Sequence, residues 1–264
     1  LTSADYGGGL DADLDQTQDN RLGIAHASKM ATEYLLSDEA FIVSGKINGA
    51  ATAKGQAHNE NFAKHLTAMG EPYESFDAKQ MREITGSSYY TDGLFTPGTA
   101  MIQPAMYIRG VAEGLGQDGV TIYEDSPVTA LNNNGSWVVE TPHGQVSSPR
   151  VILAVNGHLN SFGYAKSRLM HVFTYASMTR ALTPQEIGKL GGNPIWGLTP
   201  ADPVGTTVRR ISGKGGDRLI IRNRFTFDPT LEVSPKRIAK IGHDHDASFL
   251  HRFPDLSNVT MEYR

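Results

Sequence analysis

Apolar positions along the chain change period several times, and each change marks a predicted element. From 18 to 36, Leu22, Ala25, Met30, Tyr34 and Leu35 recur at mixed helical spacing, which predicts a helix. The stretch FIVSGKINGAAT, 41–52, predicts a turn and a short strand, and 54–69 sets Phe62, Leu66 and Met69 on one helical stripe. Asp77 is placed to cap a short helix through Ile84. Pro104 opens a helix that reaches Leu115 before Gly116. Short strands are predicted at 120–124, 127–131, 137–141 and 151–155, with NNNG at 132–135 as a hairpin turn. The last, VILAV, is wholly apolar and ends at Asn156-Gly157, as a buried strand ends where backbone approaches a ligand.

The final hundred residues read as richer in strand. The span 168–181 is rich in β-branched and aromatic residues. Thr183-Pro184-Gln185-Glu186 is a capping box with proline at the first helical position. Strands at 206–211 and 218–225 flank the loop SGKGGD, Ser234-Pro235 opens a helix to about His251, and 259–263 reads as a last strand. No internal repeat or low-complexity linker interrupts the series.

Composition narrows the classes. The 264 residues and 39% hydrophobic content suffice for one or two domains. A net charge of -4 gives no reason to expect nucleic acid or an anionic membrane, and no apolar run approaches the length of a membrane span. The absence of cysteine excludes disulfides and thiol catalysis and fits a bacterial, cytoplasmic protein. The chain begins at Leu1 without methionine and stops inside a predicted strand, so a fragment is expected, with sheet edges open to self-association.

Candidate chemistry is sparse. SGKGGD lacks the Lys-Ser/Thr end of a phosphate loop and leads into RLII, so its glycines read as turn glycines. GHDHDASFLH offers His243, His245 and His251, but the first two are two apart and diverge on a helix, which favours a solvated face over a metal site or a metal-dependent hydrolase. The run RRISGKGGDRLIIRNR puts Arg209 and Arg210 on opposite faces of one strand and Arg222 on its neighbour. An inward arginine there could clamp a substrate carboxylate; outward solubilising charges are the alternative. His171, Phe173, Tyr175 and Ser177 share one face of the strand HVFTYASMT, which suits either a pocket wall or a mixed face packed on a helix.

The run from GLFTPGTAMIQPAMYIRG to VILAVNGHLN resembles the middle of the FAD-dependent amine and amino-acid oxidases, the D-amino-acid oxidase, glycine oxidase and sarcosine oxidase family, most closely its gamma-glutamylputrescine oxidase branch. The likeness rests on Pro104, on Gly119-Val120-Ile122-Glu124-Val128, on Val139-Thr141-Gly144 and on Ala154-Asn156-Gly157. It continues in the pair TTVRRI/DRLIIRNRF and in FPDL before VTMEYR. The family's opening G-x-G-x-x-G and its closing flavin segment do not occur in this chain, which looks like the interior of such an enzyme. The resemblance implies an α+β fold: a large, mostly antiparallel sheet flanked by helices, interleaved with a partial α/β segment containing a β-meander. It implies a helical connection at 1–40, a substrate domain at 41–100 and 166–264, and an FAD-domain segment at 101–165. By the same likeness Val128 meets the adenine, and Ala154, Asn156 and Gly157 lie along the pyrophosphate or ribose. Strand alternation alone offers His171, Tyr175, Arg209 and Arg222 as pocket residues, and no catalytic acid or base is assigned. The implied reaction oxidises the C–N bond of an amine or amino acid to an imine, with O2 reduced to H2O2. The chain alone is expected to hold FAD weakly or not at all and to be inactive. The competing reading is a non-enzymatic ligand-binding module, or a subunit completed by a partner chain.

Overall fold

The computed structural model describes residues 7–202, 204–228 and 231–264. In chain order it shows α1 (Leu10–Glu33), β1 (Phe41–Val43), β2 (Lys46–Ala50), α2 (Ala53–Ala68), β3 (Glu74–Asp77), α3 (Ala78–Thr85), β4 (Asp92–Thr96), β5 (Ala100–Ile102) and α4 (Pro104–Gln117). There follow β6 (Ala130–Asn133), β7 (Trp137–Thr141), β8 (Gly144–Ser148), a 3-10 helix (Asn156–Phe162), β9 (Val172–Thr179), α5 (Pro184–Ile187), β10 (Trp196–Pro200), β11 (Thr207–Ile211) and β12 (Arg218–Phe227). The series closes with α6 (Pro235–Arg252), a second 3-10 turn (Pro254–Leu256) and β13 (Met261–Tyr263). The chain divides into two compact units: Leu1–Val111 with Thr174–Phe225 and Val233–Arg264, and Ala112–Phe173 with Thr226–Glu232.

The first unit is built on an eight-stranded sheet in the order β13-β9-β12-β11-β10-β2-β4-β3. Antiparallel pairing joins β10 to β11, β11 to β12, β2 to β4, β3 to β4 and β13 to β9. The pair β10–β2 is parallel, Leu198 lying opposite Ile47. One face of the sheet carries Ile47, Leu198, Val208, Leu219 and Ile221, all at most 4% exposed. These pack with Met81 of α3 and Phe249 of α6 into the main core. A smaller cluster, Ala31, Phe41 and Tyr107, docks α1 onto β1 and α4, and the Tyr107 hydroxyl donates to Ala27 O at 2.9 Å. Both sheet edges are short, three and four residues, and carry Glu262, Glu74 and Asp77, which blunts strand addition.

Local chemistry explains the helix starts. Asp77 and Gln80 form a reciprocal capping box, as do Thr183 and Glu186, while Ser234 accepts from the Arg237 N–H ahead of Pro235. Gly86 ends α3 at φ 74. The loop SGKGGD joins β11 and β12 as a hairpin.

The second unit holds the antiparallel meander β6-β7-β8, with NNNG turning between the first two strands. Several expectations need correction. The spans 120–124 and 151–155 are not strands, and among the described residues no backbone hydrogen bond joins 151–154 to another segment. A strand needs a paired neighbour as well as an apolar sequence, and here Ile152 stands 91% exposed. The strand at 144–148, polar and glycine-led, escaped prediction because it is recruited by pairing to β7. Helix α1 also begins at Leu10, well before 18.

Candidate functional site

Strand alternation sorts the arginines of the first unit. Arg210 lies opposite Leu219 and Trp196, on the core face, and is 3% exposed. Its Nη1 donates to Gly191 O at 2.7 Å and Asn193 O at 2.9 Å, and its Nη2 to Asp217 Oδ1 at 3.1 Å. This inward arginine is consumed by the protein's own loops and is no substrate clamp. Arg209 lies opposite Ile220, and Arg222 opposite Thr207, so both project from the other face. Burial, then the neighbouring Arg222 charge, pulls the Arg209 pKa down. Among the described residues no carboxylate pairs with either, whereas Arg180, Arg218, Arg224 and Arg264 each hold one. Two adjacent guanidinium groups without a counter-charge form a ready receptor for an oxyanion.

Tyr175 falls on the opposite side. Phe173, Tyr175, Ser177 and Thr179 are each less exposed than the residues between them, and Ser177 Oγ meets His245 Nδ1 of α6 at 2.7 Å. This face is therefore packed on a helix, and the structure brings Arg209 and Arg222 together while separating Tyr175 from them. His245 corrects the reading of a solvated helix face: it is 1% exposed, with Nε2 3.3 Å from Asn223 O. Burial lowers its pKa first and foremost, so the neutral ring bridges β9 to β12. The spacing Ile241, His245, Phe249, Arg252 is a helical stripe of buried positions and was the available signal. His243 and His251 are exposed, and no metal-binding group occurs among the described residues.

In the second unit, Val128 and Ala154 are exposed and Asn156 begins the 3-10 helix at φ 47. His171 Nε2 lies 3.0 Å from Gly157 O, and a Cβ at Gly157 would stand 2.7 Å from that nitrogen. The close approach at Gly157 is thus made by the His171 ring, one nitrogen of which meets the Gly157 carbonyl. Val128 and Ala154 each present apolar surface to solvent, and Asn156 an exposed amide, group types that a flat ring and a sugar hydroxyl would need. The segment around them shows no glycine-rich loop entering an α-helix, the usual cradle for a pyrophosphate. Sequence reading also passed over Lys46, a buried lysine of β2 whose only signal was its alternate position in KINGA.

Comparison with known proteins bears on this arrangement. Over 214 residues the chain is 28% identical to the probable oxidoreductase OrdL of Rhizobium meliloti, covering 76% of this chain and 49% of that protein. Over 86 residues it is 34% identical to the gamma-glutamylputrescine oxidoreductase of Escherichia coli, covering 33% of this chain and 20% of that one. The chain thus spans about half or less of the length of these curated relatives. Its fold matches glycine oxidase from Geobacillus kaustophilus, with a TM-score of 0.69 at 18% identity over 93% of this chain and 64% of that one. It also matches L-proline dehydrogenase from P. horikoshii, with a TM-score of 0.71 at 16% identity and the same coverage. The FAD dependent oxidoreductase family model, DAO, matches residues 2–264, and the chain belongs to that family.

Proposed function

We propose that this chain is the larger part of the substrate-binding half of an FAD-dependent oxidase that converts the C–N bond of an amino acid to an imine, with O2 reduced to H2O2. The first unit serves as the substrate domain and the second as an internal segment of the FAD domain. The observation that carries the reading is the Arg209–Arg222 pair, two guanidinium groups on one sheet face with no carboxylate partner among the described residues. They hold the substrate carboxylate and so fix the orientation of its amine. The relatives support this choice, since glycine, L-proline, dimethylglycine and gamma-glutamylputrescine in their names are all amines bearing a carboxylate. FAD, when bound, supplies the two-electron acceptor. Val128, Ala154 and Asn156 border its adenosine, and Gly157 serves indirectly by admitting His171. The cysteine-free composition supports a cytoplasmic, bacterial setting.

The test uses the protein that the complete gene encodes, assayed for peroxide with amino acids and with matched amines lacking the carboxylate. Arg222→Met is expected to raise KM for the amino acid and leave the plain amine unchanged. Equal effects on both substrates refute the clamp. The 264-residue chain alone is expected to purify without bound flavin, and a stoichiometric visible flavin spectrum refutes its incompleteness.

A further inference from the structure

Lys46 opens β2 on the sheet face that α2 covers. It is 8% exposed, and its Nζ donates to Asn48 Oδ1 at 2.9 Å and lies 5.6 Å from the centre of the Phe62 ring. The same Asn48 oxygen accepts from Thr199 Oγ1 at 2.7 Å, so it is a shared acceptor and supplies no countercharge. No carboxylate pairs with Lys46 among the described residues, and burial draws its pKa down to about 8. Buried ammonium groups are ordinarily paired, because an unpaired one forfeits its hydration.

The head group faces a cleft of about 440 Å³. Its lining includes His58, Asn59, Asn61 and Phe62 of α2, and none of the lining residues is acidic. Asn59 is held by its own bonds to Asn48 O and Asp92 Oδ1, which makes it a fixed wall. His58 and Asn61 have no protein hydrogen-bond partner among the described residues. One ammonium among neutral amides balances one negative charge, and the ring adds apolar area. We propose that this cleft binds a small organic carboxylate: the oxyanion pairs with Lys46 Nζ, His58 and Asn61 hydrogen-bond its outer end, and the Phe62 ring covers its carbon skeleton. The site is separate from the arginine pair. Gly197 lies opposite Arg209, and a Cβ there would meet Met101 Sδ at 3.3 Å, so the Met101 side chain stands over β10 between the two.

The experiment measures trinitrophenylation of Lys46 in the 264-residue chain by peptide mass spectrometry at neutral pH. Acetate, succinate, inorganic phosphate and sodium chloride are compared at equal ionic strength. Acetate and succinate are expected to slow Lys46 alone about tenfold, since pairing that raises its pKa by about one unit cuts the free-amine fraction tenfold. Unchanged labelling overturns the site. Slowing by phosphate but not by carboxylates, or equally by chloride, overturns the ligand class. The Arg209→Met/Arg222→Met double variant is expected to keep the protection, and its loss there places the anion at the arginines and overturns the proposal. Lys46→Met is expected to abolish thermal stabilisation by succinate, while the labelling arm stands on the unaltered chain.

Discussion

Arg209 and Arg210 are chemically identical neighbours that the sheet sends to opposite faces, so truncating them separates stability from surface charge. Arg210→Met removes a guanidinium that bonds Gly191 O, Asn193 O and Asp217. Two carbonyls lose a donor, and Asp217, with a side chain 19% exposed, keeps among the described residues only the Ser212 hydroxyl at 3.2 Å. Breaking a buried ion pair from one side costs about 3–5 kcal/mol, and the partial exposure of Asp217 places this variant near the lower end. For a chain of this size that corresponds to a fall in Tm of roughly 6–12 °C. Arg209→Met instead removes a desolvated charge that faces Arg222 and has no carboxylate partner among the described residues, so its Tm is expected to hold or rise. Trp196 lies directly opposite Arg210 at 3% exposure and reports the transition of the first unit by fluorescence, in a Trp137→Phe background. Equal losses from the two substitutions, or a larger loss from Arg209→Met, would refute the assignment of faces on which the proposed carboxylate clamp depends.

Other outcomes follow from the same framework. Arg180 and the Thr183 N–H hold the Glu186 carboxyl at about 2, below its ordinary 4.5. Its contribution is therefore complete above pH 4.5 and is lost as pH falls toward 2, so the urea midpoints of the protein and of Glu186→Gln are expected to converge over that window. His245 titrates below its ordinary 6.5, so the fold favours the neutral ring and stability falls as pH drops below 6.5. Urea midpoints from pH 7.5 to 5 are expected to decline for the protein and to flatten at His245→Gln; parallel slopes would count against a buried neutral ring. Ile221→Ala, at a fully buried position, is expected to cost about 2–5 kcal/mol by denaturant titration, and Ile220→Ala on the opposite face markedly less. Gly157→Ala drives a methyl into the His171 ring, and the His171 NMR signals are expected to shift while those of His245 stay in place.

Signals that act within a few residues were legible in the sequence. The caps at Asp77, Thr183 and Ser234 rest on bonds three residues apart, and the SGKGGD hairpin on its own glycines. Alternation correctly put Arg209 and Arg210 on different faces, but which face is the core depends on where α3 and α6 settle. VILAV shows the same limit from the other side: its composition suits a buried strand, yet strand structure is a property of pairing, and no partner meets it among the described residues. His245 was hidden by its charged neighbours Asp244 and Asp246, whereas its spacing to Ile241 and Phe249 carried the information. The family likeness supplied the large antiparallel sheet that periodicity alone does not specify, and the structure bears that out.

The parallel contact between β2 and β10 has a consequence for biogenesis. It unites residues 151 apart in sequence, through the Thr199–Asn48 bond, and every other pairing of β2 lies within the first hundred residues. At a synthesis rate of about 5–20 residues per second, one rim of β2 emerges some 8–30 s before its companion. For that interval the nascent chain exposes Ile47 without Leu198 above it, and contacts of such sequence separation are also slow to close once available. Newly made molecules are thus most vulnerable to strand addition at β2, a strand that the finished sheet encloses between β10 and β4.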